Sequence, residues 1–252
     1  LAPRHVIPSR DVDGMLGNLE RVWAPPAPTD SLVIEGVKRT PTDPPGLPHK
    51  KLVTLDRKTR QDLKSNQNWR VHGFYLFSES ARRIFNSASL ARWASLILDR
   101  KANPYYTINF SYGSTQELHQ DTAVFYVWPA NYLVGAWLAC EDIHPDSGPL
   151  VYYEGSHRSQ LFPRFNDYPR TNLKNCDPAL VGPYADYLHD IATRYERKTF
   201  IARRGEIFLW HGMLVHGGDT IRNPKLTRHS YVCHYIPPAC EKSSEAKGPF
   251  NW

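Results

Sequence analysis

Apolar and small polar residues alternate from Tyr105 to Tyr112, a period of two that predicts a strand with Thr107, Asn109 and Ser111 on one face. Leu133 to Cys140 is nearly all apolar and reads as a buried strand. Asp146-Ser147-Gly148-Pro149 predicts a turn, and Leu150-Val151-Tyr152-Tyr153 a strand that ends at Gly155-Ser156-His157. Glu206 to Trp210, after Gly205, and Ser230 to Tyr235 complete the series. Short strands with turn punctuation predict a sandwich or barrel. Helical spacing is confined to two places. Leu90, Trp93, Ala94 and Ile97 make one apolar stripe, capped by Ser87 or Ser89, and a second helix is expected from Pro183 to Tyr195. Residues 1–50 hold nine prolines, which predicts extended chain packed on the domain or partly mobile.

The chemistry lies between and within these elements. In an extended backbone alternate side chains share a face, so in His119-Gln120-Asp121 the first and third project together while Gln120 points away. His216 offers a third ligand from a distant segment. Two histidines and one carboxylate form the facial set that holds non-haem Fe(II) and leaves coordination positions open for oxygen chemistry. The same donors serve catalytic zinc, but a zinc hydrolase needs a general base and gives Arg228 no role. A guanidinium meets a carboxylate with two parallel hydrogen bonds, so an arginine near such a metal suits a dicarboxylate cosubstrate. By phase, Arg228 and Ser230 share one face of the last strand, with Tyr231 and Cys233 on the other. His211, five residues before His216, is expected on the opposite face in a packing or supporting role.

The ordered motifs from His119 through Gly155-Ser156-His157, and from Gly205 to Tyr235, resemble the phytanoyl-CoA dioxygenase family of Fe(II)- and 2-oxoglutarate-dependent oxygenases. The resemblance covers residues 105–235. It implies a mainly β domain with peripheral helices, a double-stranded β-helix (jelly roll, cupin-like) with iron at the open end. It carries the iron ligands onto His119, Asp121 and His216, the arginine that holds the far carboxylate of 2-oxoglutarate onto Arg228, and an aromatic lining the cosubstrate pocket onto Trp137. Many members have serine where this chain has Gly218. That hydroxyl contact then falls to Ser230 or Asn109, and Thr122, beside the motif, is grouped with them. The His216 to Arg228 spacing is one residue longer than in the family pattern, which leaves Arg222 as a lesser candidate. Halogenating relatives have glycine or alanine where this chain keeps Asp121, so the resemblance implies hydroxylation of a small organic substrate with release of succinate and CO2. The competing expectation is a non-catalytic jelly-roll binding or sensing module that retains the metal pocket.

Length and charge narrow the picture further. At 252 residues a single oxygenase domain is expected, with residues 1–50 as a Pro-rich extension, 105–235 as the jelly-roll core and 158–198 as a lid insertion. Long connections at the mouth of a rigid scaffold carry specificity. This one offers Phe162, Phe165, Tyr168, Tyr184 and Tyr187 as apolar surface and Arg158, Arg164 and Arg170 as anion partners. The net charge of +6 favours an anionic small molecule, while the scattered basic residues and the lack of a nucleic-acid motif argue against nucleic acid. No apolar run approaches a membrane span, no signal peptide is visible, and the opening leucine suggests a trimmed chain. Cys140, Cys176, Cys233 and Cys240 show no metal-type spacing and suggest a reducing cytoplasm.

Overall fold

A computed structural model describes residues 6–24, 32–36, 46–114, 116–168 and 171–242. Its centre is a seven-stranded antiparallel sheet facing a three-stranded one. The strands are β1 (Val33–Glu35), β2 (Gly46–Pro48), β3 (Arg70–His72), β4 (Asn103–Phe110), β5 (Val127–Trp128), β6 (Val134–Ala139), β7 (Leu150–Tyr153), β8 (Arg197–Phe200), β9 (Ile207–His211), β10 (His216–Gly218), β11 (Ser230–Ile236) and β12 (Glu241–Lys242). The large sheet runs β2-β1-β3-β4-β11-β6-β9 and the small one β10-β7-β8, while β5 pairs with β12. Two facing antiparallel sheets with peripheral helices are the jelly-roll arrangement expected from the strand pattern, without closure into a barrel.

Register decides what each face of the large sheet does. Ser230, Val232 and His234 of β11 lie across from Phe110, Ile108 and Tyr106 of β4 and from Ala139, Trp137 and Gly135 of β6. This set turns inward, where Ile108, Phe110, Trp137, Phe208, Trp210 and Val232 pack with Leu150 of the small sheet. The alternate residues Tyr231, Cys233 and Tyr235 turn outward and are covered by helices. Those helices are α1 (Ser9–Leu19), α4 (Glu79–Phe85) and α5 (Ala88–Leu98), and Met15, Ile84 and Leu90 are their buried contacts. Burial of this kind stabilises by about 25 cal/mol per Å² of apolar area, so the helical layer is a second core rather than decoration.

Three sequence expectations change. The first 50 residues are not merely extended chain: they contribute α1, β1, β2 and the start of α2 (His49–Leu52), and Val12, Met15 and Leu19 of α1 are buried at helical spacing. The prolines fall largely outside that helix, so counting them hid it. The helix expected from Pro183 starts two residues earlier, as α6 (Val181–Thr193), and Ser87 is the residue that caps α5, accepting from the Leu90 amide. Asn109 is on the outward face of β4, its Nδ2 directed at the Met15 sulfur of α1, so it cannot reach the inner cavity. The 158–198 connection packs as a third apolar cluster in which Phe162, Phe165, Tyr184, Leu188 and Ile191 meet Ala123 and Val215.

Candidate active site

His119-Gln120-Asp121 does not lie in a strand. His119 makes an isolated antiparallel bridge to His216, and Asp121 opens a short 3-10 turn, Asp121–Ala123. The bridge is closed by the His119 amide on the His216 carbonyl (2.9 Å) and the His216 amide on the His119 carbonyl (3.1 Å). Gln120, still extended, does turn away, and its Nε2 donates to the Met213 carbonyl. The outcome expected of a strand is reached by one residue pair and a turn. Gly217 permits it, because a Cβ there would stand 2.8 Å from the Gln116 carbonyl.

The two imidazoles are presented by the same device. His119 Nδ1 lies 2.8 Å from the Glu117 carbonyl, and His216 Nδ1 lies 2.9 Å from the Leu214 carbonyl. A carbonyl only accepts, so each Nδ1 carries the proton and each Nε2 keeps its lone pair. Both Nε2 atoms stand 3.7 Å from Oδ1 of Asp121. One ligand atom from each of the three residues lies within 4.8 Å of the others. This donor set suits a divalent ion of the Fe(II) type. Burial pulls the pKa of His119 down to about 4, assisted by the neighbouring His216, so His119 is neutral and ligand-competent at neutral pH. Burial opposes ionisation of Asp121, but the neighbouring imidazoles, with the close approach of His234, outweigh it and hold the carboxyl below the usual carboxylate range.

The other oxygen of Asp121 is anchored from the large sheet. Trp210 Nε1 donates to Oδ2 at 2.8 Å, and His234 Nε2 stands 3.4 Å from the same atom. Oδ1 is thereby left to the histidines. The sequence reading missed both residues. His234 had a legible signal, since it lies in phase with Arg228 and Ser230 on β11; Trp210 looked like core.

Arg228 enters the same cavity one residue pair before β11, with its amide on the Ser111 carbonyl (2.8 Å). It is only 2% exposed. Its guanidinium lies over Phe110 and Trp137, 5.3 and 5.8 Å from the ring centres, and reaches the Tyr112 carbonyl at 3.4 Å. Nε makes no hydrogen bond, and among the described residues no carboxylate pairs with the side chain. Burial lowers its pKa to about 10, which still leaves it charged at neutral pH. A buried, unpaired guanidinium costs several kcal/mol unless an anion joins it. Ser230 lies on the same inward face, its hydroxyl buried without a partner.

Other candidates fall elsewhere. The Thr122 hydroxyl is turned to the Gly212 carbonyl and the Met213 sulfur, away from the cavity. Arg222 is exposed beside Asp146. His211 is held between the Asn131 carbonyl and the Met213 amide, outside the cluster. Of the proposed lid, Arg158 and Arg164 are exposed and do not line the cavity, and Arg170 lies outside the described residues. Phe165 is buried against Tyr184, and the Tyr168 hydroxyl donates to the Phe125 and Val127 carbonyls. Of the connection's aromatic residues Tyr184 lines the cavity, with Phe165 packed behind it. Arg158 and Arg164, expected to meet an anion, are not gathered there.

The phytanoyl-CoA dioxygenase (PhyH) family model matches residues 1–230. The chain belongs to that family. Among curated proteins of the family, the peroxisomal phytanoyl-CoA dioxygenase of Rattus norvegicus is 30% identical over 128 residues, 51% of this chain and 35% of the relative. The phytanoyl-CoA dioxygenase domain-containing protein 1 of Danio rerio is 27% identical over 137 residues, 53% of this chain and 42% of the relative. The chain spans about a third of the length of the phytanoyl-CoA dioxygenases it matches. Among solved structures, the non-haem α-ketoglutarate-dependent epimerase SnoN of nogalamycin biosynthesis matches with TM-score 0.65 at 15% identity, covering 96% of this chain and 80% of that one. EctD from S. alaskensis matches with TM-score 0.62 at 16% identity, covering 94% and 72%. Likeness at this identity establishes a shared PhyH-type fold.

Proposed function

We propose that this chain is the catalytic core of a mononuclear Fe(II)- and 2-oxoglutarate-dependent dioxygenase that hydroxylates a small organic substrate. One observation carries the reading: two imidazole lone pairs and one carboxylate oxygen converge in the same cavity as a buried arginine that has no acidic partner among the described residues. The related structures include SnoN and EctD, each described with bound Fe and α-ketoglutarate or 2-oxoglutarate.

His119, Asp121 and His216 would hold the metal. Arg228 would hold the far carboxylate of 2-oxoglutarate with its fork, and Trp137 would line that site. Ser230 would give the hydroxyl that Gly218 lacks. When bound, the metal and cosubstrate supply the oxidising power, one atom of O2 passing to substrate and the other to succinate as CO2 is released. The chain's own part is geometric. The His119–His216 bridge fixes the two rings, Trp210 and His234 fix Asp121, and the apolar inner face excludes water from the reacting atoms.

The test is succinate formation from 2-oxoglutarate by purified protein under oxygen, with and without Fe(II). Slow, Fe(II)-dependent turnover without substrate is expected. Complete inactivity across a substrate screen, with Fe(II) still bound, would favour a binding or sensing module. A second expectation concerns Asp121's anchors. Supporting partners of metal ligands are worth roughly 10- to 100-fold in affinity or activity, so His234→Phe and Trp210→Phe should each weaken Fe(II) binding by about that factor. Metal titration under anaerobic conditions checks this, and unchanged affinity in both variants would mean the Oδ2 contacts do not orient the ligand.

A further inference from the structure

The cavity holding the triad and Arg228 has a volume of about 740 Å³, within the range of sites for whole small molecules. It extends across the inward face of the large sheet well beyond the triad. In the β3–β4 register Arg70 lies across from Phe110 and His72 across from Ile108, and in the β1–β3 register Glu35 lies across from Arg70. Adjacent strands are ~4.8 Å apart, so Arg70 is about 10 Å and Glu35 about 14 Å from β11. All three side chains line the cavity. They would otherwise be anomalous, because charged residues on the inner face of a jelly roll must be paired or used.

Glu35 binds Arg70 Nε and His72 Nε2 through the same oxygen, the latter at 2.7 Å. Burial opposes its ionisation, but these two donors prevail and keep it ionised. Burial holds His72 near 4, so it is neutral. Arg70 spends only Nε on Glu35; among the described residues its two terminal amino groups make no hydrogen bond. The turn 172–175 lines the same cavity, closed by the Asn172 amide on Asn175 Oδ1 and the Lys174 amide on Asn172 Oδ1. The Leu173 amide ties that turn to the Ala123 carbonyl, two residues from Asp121. Lys174 lines the cavity from this tethered turn. It is open to the cavity yet close enough to protein that burial pulls its pKa down to about 7, against the attraction of Glu35. Arg70 and Lys174 thus share the field of one carboxylate, Glu35, that Arg70 and His72 already bond.

We propose that Arg70 and Lys174 form the subsite for an anionic group, a carboxylate or a phosphate ester, of the molecule oxidised at the triad. This rests on the dioxygenase reading for what happens at the other end, but anion binding is measurable without turnover. The subsite also relocates the anion partners from Arg158 and Arg164 to the cavity wall. It gives the 158–198 connection a role through one residue, Lys174.

Titration calorimetry on the Fe(II)- and 2-oxoglutarate-loaded protein, with oxygen excluded, tests it with inorganic phosphate and butyrate as probes. The cosubstrate keeps Arg228 occupied, so probe binding reports the second subsite. At least one probe should bind, phosphate alone indicating a phosphate ester and butyrate alone a carboxylate. Lys174→Gln should weaken that binding about tenfold or more, while 2-oxoglutarate affinity and uncoupled succinate formation stay unchanged. Arg70→Gln should act likewise; because it also unpairs Glu35, Lys174→Gln on its open turn is the deciding variant. Arg164→Gln is the control and should change nothing. No binding of either probe, or equal binding by wild type and Lys174→Gln, would overturn the subsite. Failure of the dioxygenase reading would show instead as lost Fe(II)-dependent succinate formation in the wild type.

Discussion

Asp121→Ala should abolish oxidative turnover and Fe(II) binding together. The variant keeps two neutral imidazoles but loses the only anionic donor of the set, the oxygen that stands 3.7 Å from both Nε2 atoms. It also strips Trp210 Nε1 and His234 of their shared partner, so some loss of stability accompanies it: an unsatisfied buried donor costs about 1–3 kcal/mol. Succinate assays and anaerobic metal titration on folded protein are the measurements. Normal turnover would show that another carboxylate serves, and Glu117, exposed at the edge of the same cavity, is the one to examine.

Arg228→Ala should leave Fe(II) in place and weaken 2-oxoglutarate. A hydrogen-bonded contact to a charged group contributes about 1.5–3 kcal/mol, which corresponds to roughly 10- to 150-fold in affinity. Arg228→Lys should recover only part of it, because an ammonium is a point charge without the planar fork. Equilibrium titration with 2-oxoglutarate reads the effect directly. Unchanged affinity would return attention to other cations of the cavity, Arg70 and Lys174, since Arg222 is exposed outside it.

The strands of the core were legible because their inner and outer positions alternate: β4, β6, β7, β9 and β11 all fall where the pattern puts them. The short strands β1, β2 and β3 were not, since three residues are too few for a period to show, and Glu35, Arg70 and His72 disguise the inward face as surface. The charges that break the pattern are cavity residues. Asn109 failed differently. Its strand and phase were read correctly, but the sequence does not say which face of β4 looks toward the metal, and α1, which settles the matter, was hidden among prolines. The triad was readable although its local structure was not, since neither the bridge at His119 nor the turn at Asp121 alters which residue types converge. Arg158 and Arg164 were overvalued because nothing in their spacing says that Phe162 and Phe165 beside them pack inward and leave them outside.

The placement of Arg228 bears on how this scaffold tolerates changes in length. Arg228, Ser230 and His234 ride on a single stretch of chain locked on both sides, by β4 and by β6, so one residue inserted within that stretch would swing Arg228 or His234 out of the cavity. The stretch from Asp219 to Thr227 is under no such constraint. It is a surface excursion pinned by the Ser147–Ile221 bridge and by amides of Arg222 and Asn223 on the Asp146 carbonyl. A residue added between His216 and Arg228 would be absorbed there, before the strand begins. Homologues with longer or shorter excursions should therefore be common, whereas deletions between Arg228 and His234 should be lethal to function even when the protein still folds.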